Sequence, residues 1–198
     1  MSVIRNVSNL LTTFCLAMVV SSAYGADAQG NESASVTDLV RQMAGTWQVK
    51  SKMWPGPNAK PIDLPPATAR REIIANAFLQ EVMQPAGKDA AGAFTRIANF
   101  SFNPVNQQYE YFSLDSRLPQ MMSYLIPGAN KERNGRIELA GASFVAPEWG
   151  PQKNVPFMYR LSIGPVQNGQ QQVQLFLTEQ RGQGNEFLAF EYVYSRQP

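Results

Sequence analysis

The sequence predicts an all-β domain: a single antiparallel up-and-down β-barrel of about ten strands, entered through a short helix. Three observations carry this. From Trp47 onward, apolar and polar residues alternate with the period of a half-buried strand. Turn-forming pairs recur between the runs: Asn103-Pro104, Pro127-Gly128, Asn134-Gly135, Gly164-Pro165 and Asn168-Gly169. No long helical period interrupts them. Many short strands with short connections imply a sandwich or a barrel, and the up-and-down barrel leaves no exposed sheet edge.

The elements follow in order. Residues 1–28 have the layout of a cleavable signal peptide: Arg5, an apolar run over Leu10–Val20, then small residues. The run is shorter than the roughly 20 residues that span a bilayer. Cleavage is expected after Gly25 or Ala28, which places the mature protein in the periplasm or outside the cell. Residues 29–34 are small and polar and read as a flexible leader. The domain is expected to occupy residues 35–198. Its opening helix is capped by Ser35 or Thr37, carries Val36, Leu39, Val40 and Met43 on one stripe, and stops at Gly45.

The first strand alternates Trp47, Val49 and Met53 with Gln48, Lys50 and Lys52. A loop rich in proline, from Trp54 to Pro66, ends it. Further strands are expected at Thr68–Ala75, Phe78–Gln84, Phe94–Phe102, Tyr109–Leu114, Met121–Ile126, Arg136–Ala140, Phe157–Ile163, Gln172–Thr178 and Phe187–Ser195. The segment Phe144–Pro156, with Trp149 and three prolines, reads as a long loop at the barrel mouth, or a lid.

Composition excludes much chemistry. The chain has no histidine, which removes Ser-His-Asp and Cys-His catalysis, histidine-ligated haem and histidine-based zinc sites. Its one cysteine, Cys15, lies within the signal segment, so no disulfide or thiolate ligand is expected in the mature domain. No Asp-x-Asp calcium loop and no phosphate-binding glycine loop is present. No metal or cofactor is therefore expected. A net charge of +2 is too small to argue for nucleic acid or for an anionic membrane.

Acids, tyrosines, lysines and arginines remain. Glu72, Glu81, Glu110, Asp115, Glu179 and Glu191 lie in or beside strands and read mainly as solvent-facing. A carboxylate in the lumen instead would have a raised pKa and could serve as a base. Arg71 shares a face with Ile73, and Arg96 with Phe94, Ala98 and Phe100. An arginine on an apolar face needs an acid, an aromatic ring or an anionic ligand; a salt bridge at the barrel rim is the plainest answer. Tyrosines recur on strand faces, and a tyrosine-lined lumen suits a flat, weakly polar molecule.

Gly45-Thr46-Trp47 resembles the start of lipocalin-like (calycin) barrels. An ordered set extends the likeness: Met43 to Trp47, Met53-Trp54-Pro55-Gly56-Pro57, Phe78-Leu79, Phe102 to Tyr109, and Glu191-Tyr192-Val193-Tyr194-Ser195-Arg196. Together these resemble a bacterial family of exported lipocalin-like domains of unknown function. Two places depart from that family's pattern. Ala75-Asn76-Ala77 stands where a double glycine and an arginine are usual, and Ser113 stands two residues before Asp115 where a tryptophan is frequent. The resemblance implies a structural pair, Arg196 of the last strand lying over Trp47 of the first.

The expected function is an exported carrier that holds a small, largely apolar or aromatic molecule in the lumen. Candidate ligand contacts are Arg71, Arg96, Phe100, Tyr111, Tyr159, Phe176, Tyr192 and Trp149. A second expectation is a cofactor-independent isomerase, cyclase or lyase using Glu81, Arg96 and Tyr111. A third is an envelope protein that binds a protein partner through Met121, Met122 and Trp149.

Overall fold

A computed structural model describes residues 38–87, 93–124, 131–141, 143–149, 152–181 and 184–198. The expected signal peptide, the leader, and the helix-cap residues Ser35 and Thr37 lie outside this set. So does the Pro127-Gly128 turn.

Residues 38–42 form a helical turn, and thirteen strands follow among the described residues. They are β1 (Gly45–Met53), β2 (Ile62–Asp63), β3 (Ala67–Ile74), β4 (Phe78–Pro85), β5 (Arg96–Asn103), β6 (Gln108–Asp115), β7 (Leu118–Tyr124), β8 (Lys131–Arg133), β9 (Arg136–Ala140), β10 (Phe144–Trp149), β11 (Gln152–Ile163), β12 (Gln170–Glu179) and β13 (Phe187–Arg196). Every pairing is antiparallel, and the order runs β7-β6-β5-β4-β3-β1-β13-β12-β11-β9-β8, with β2 beside β1 and β10 beside β11. The all-β antiparallel reading holds. The strand count exceeds the expected ten, because β2, β8 and β10 are short or interrupted by proline.

The ladder does not close. Among the described residues it ends at β7 on one side and at β8 on the other. The sheet nevertheless curls until its two halves face each other. Arg96 of β5 donates to the Tyr194 hydroxyl of β13, and Arg71 of β3 donates to Gln171 of β12.

Turn chemistry sets the registers. Asn134-Gly135 and Asn168-Gly169 each place both residues at positive φ, 51° and 71°, the conformation a two-residue hairpin needs. The β3–β4 turn uses the same conformation with Ala75 and Asn76, at φ 50° and 55°. Asn103 closes the β5–β6 turn by accepting from the backbone of Val105 and Asn106.

The core centres on Trp47, fully buried, with Tyr194, Phe157, Met83, Ile137 and Leu139. Trp47 donates to the Met43 carbonyl at 3.0 Å, which ties the helical turn across one end of the curled sheet. Phe144–Pro156 is not a loop. Phe144–Trp149 and the start of β11 form a hairpin, with Val145 opposite Pro156. Proline is tolerated in β10 because that strand pairs on one side alone.

Candidate functional site

The β3–β4 hairpin places Arg71 directly opposite Glu81. Along β4 the inward residues are Leu79, Glu81 and Met83, so strict alternation carries a carboxylate into the core. Along β5 the same alternation aligns Arg96 with Ala98 and Phe100. A buried cluster results. Arg71 Nε donates to Glu81 Oε2 at 2.7 Å, and Arg96 Nη2 donates to Glu81 Oε1 at 2.5 Å. Arg96 Nη2 also reaches the Tyr194 hydroxyl at 2.8 Å. Arg71 Nη1 donates to Gln171 Oε1 at 2.5 Å, and Gln171 in turn donates to the Gly164 carbonyl at 2.8 Å. The Arg71 guanidinium stacks over the Tyr194 ring at 3.9 Å, and that of Arg96 lies 4.8 Å from the Tyr192 ring.

Burial and electrostatics correct three expectations. Glu81 does not face solvent, and burial does not make it a base. Burial alone would raise its pKa, but Arg71 and Arg96 outweigh that and hold it down at about 2. A carboxylate so firmly ionised has little affinity for a proton, so the general-base role considered for Glu81 does not fit the geometry. Nor does Arg71 form a rim salt bridge, because it lies in the interior at 7% exposure. Burial raises the pKa of Tyr111, Tyr192 and Tyr194, with nearby guanidiniums partly opposing it. Their hydroxyls remain protonated donors.

Two cavities meet at this cluster. A small inner void of about 40 Å³ is bordered by Arg71, Glu81, Phe100 and Tyr194. A chamber of about 370 Å³ lies beyond it, walled mainly by Phe144, Trp149, Leu175, Leu177 and Phe190. Arg96, Tyr111 and Leu161 border both. At the chamber rim Arg117 grips Asp115 through Nε at 2.9 Å and Nη2 at 2.6 Å, and its guanidinium lies 3.7 Å from the Phe94 ring. Among the described residues no group of three or more acidic, histidine or cysteine side chains is arranged to hold a metal ion.

The expected contacts divide accordingly. Arg71 and Phe100 border the inner void, Arg96 and Tyr111 both cavities, and Tyr192 and Trp149 the chamber. Tyr159 is buried against Phe144 and over Gly141. Phe176 points the other way. Leu175 and Leu177 are buried while Phe176 lies on the outer face beneath the Arg160 guanidinium, 4.1 Å from it. Its bulk suggested the interior, but its parity in the strand sets it outside. Trp149 is half-buried against Phe157 and Phe187, so it is not an exposed adhesive residue. The side chains of Met121 and Met122 lie outside the described set. Gln171, Asp115 and Arg117 were not anticipated as site residues. Gln171 is legible afterwards, because it precedes Val173 and Leu175 on the same inward parity.

The expected Trp47–Arg196 pairing has a clear geometry. The two residues are register partners in β1 and β13, and the guanidinium lies 4.4 Å from the indole centroid. Arg196 also donates to the carbonyls of Ala44 (2.7 Å) and Gln42, the last acceptors of the helical turn. Gly45 leaves the room for this, since a Cβ there would stand 2.7 Å from Arg196 Nη1.

Comparison with known proteins adds fold and family. No curated protein matches the sequence. The crystal structure of Rv2717c from M. tuberculosis is similar, with a TM-score of 0.54 over 82% of this chain and 98% of that one. At 13% identity, that likeness concerns the fold alone. Residues 33–196 match the model of a family described as "Protein of unknown function (DUF1579)", and the chain belongs to that family.

Proposed function

We propose that this protein is an exported carrier whose curled sheet works as a lipocalin-like cup, holding one small, largely apolar molecule in the chamber beneath the β10–β11 hairpin. The chamber itself carries the reading. Its volume of about 370 Å³ lies within the range usual for small-molecule sites, and its wall is mostly aromatic and aliphatic with a few polar groups. The polar groups are tied into ion pairs or kept protonated by burial. They are therefore better suited to orienting a ligand than to moving its protons. Export rests on the layout of residues 1–28.

Expression of the full chain in a Gram-negative host tests both parts. The reading expects a periplasmic product whose N-terminus lies at Ala26 or Gln29. It further expects an organic extract of the natively purified protein to yield a bound small molecule by mass spectrometry. A cytoplasmic, uncleaved product would overturn export. Repeatedly empty extracts, together with a solved structure whose chamber is filled by its own side chains, would overturn the carrier reading.

A further inference from the structure

We propose that the chamber selects a monoanionic amphiphile, an apolar carboxylate of about a dozen non-hydrogen atoms in all, with its charged end against Arg96. The inference rests on the carrier reading above and adds the ligand's chemical class.

Charge leads to it. Arg71 and Arg96 are the cations of the buried cluster and Glu81 is its sole acid among the described residues, so the cluster holds one positive charge in excess. The acids nearer the opening answer it only in part, since Asp115, opposite Arg96 in the ladder, feels its charge. Asp115 is engaged by Arg117, and Glu148 is exposed on the hairpin opposite Lys153. Arg71 is satisfied by Glu81 and Gln171. Arg96 is not. It is 11% exposed, it borders both cavities, and its Nε–H is buried without an acceptor among the described residues. An unfilled donor on an enclosed guanidinium is costly, and its planar fork matches a carboxylate. The ring of Tyr192 beside it, with Tyr111, leaves room for a flat head group. One excess charge matches one negative charge, and a dianion would reverse the imbalance.

Size sets the body. At about 30 Å³ per water-sized atom, a chamber of about 370 Å³ holds roughly twelve non-hydrogen atoms. Decanoate has that count and the apolar character of the walls.

The test is a matched series titrated into the purified protein by calorimetry, below micelle formation: decanoate, decanol and decyl phosphate. Decanoate should bind about tenfold or more tighter than decanol, and Arg96→Met should abolish that preference. Arg96→Lys keeps the charge but removes the Nε edge. It should weaken decanoate severalfold, and it serves if Arg96→Met fails to fold. Equal affinity for decanoate and decanol would overturn the anion inference and leave the carrier reading standing. Tighter binding of decyl phosphate would overturn the single-charge assignment. Binding of none of the three, by protein shown to be free of endogenous ligand, would overturn both readings.

Discussion

Glu81 shows how much one side chain can determine. It is buried, and it is the common acceptor for Arg71 and Arg96. Its pKa falls from 4.5 to about 2 on folding, so the folded state favours the ionised form. The resulting stability is fully present above about pH 4.5 and is lost as the pH falls towards 2. Urea unfolding at several pH values should show a decline across that window. At neutral pH, Glu81→Gln should cost about 3–5 kcal/mol, because two buried guanidiniums then lack their shared acid. Arg196→Ala is milder. The residue is exposed, but it covers the Trp47 ring and bonds two carbonyls at the end of the helical turn. A loss of about 1–2 kcal/mol is expected, seen as a fall of roughly 2–8 °C in melting temperature, with Arg196→Lys recovering part of it. The sequence exposed Arg71 and Arg96 as arginines on apolar faces but hid their partner. Glu81 reads as solvent-facing when acids are assumed to lie outside. Counting back from the Ala75-Asn76 turn instead puts it opposite Arg71.

Among the elements, alternation was a reliable guide wherever a strand was long and free of proline. Arg136–Ala140 was bounded correctly, and most other strands shifted by only a few residues. It failed at β10, where Pro147 masks an edge strand, and at β2 and β8, which are too short to show a period. The wall of the chamber was consequently read as a loop. The passage from β9 to β10 contains a second tight point. The Tyr159 ring lies directly over Gly141, and a Cβ at that position would come within 1.7 Å of it. The Gly141 amide also bonds the Tyr159 carbonyl at 3.0 Å, so the backbone has little freedom to retreat. Gly141→Ala should therefore destabilise the protein by about 1–3 kcal/mol in chemical denaturation. Adding Tyr159→Leu should restore part of the loss.

For the molecule as a whole, the sequence conveyed the fold class but not the closure. Pairing between distant strands depends on curvature that no local pattern records. One long-range pairing stands out: β1 lies between β3 and β13. A chain ending before Phe187 would strip one edge from both β1 and β12 and uncover Trp47. Such a chain should lose near-ultraviolet circular dichroism while keeping some far-ultraviolet signal. A normal near-ultraviolet spectrum would show that β13 is dispensable.

The β1–β13 pairing also imposes an order in time. The domain's first strand to emerge from a ribosome takes its partner from the domain's last strand, and Gln197 then bonds the Thr46 carbonyl. Until then Trp47 lacks Arg196, with only Arg71 of β3 at 5.5 Å from its ring, and β1 has a bare edge. The domain thus carries its own delay, staying threadable until β13 has passed and only then joining its first strand to its last.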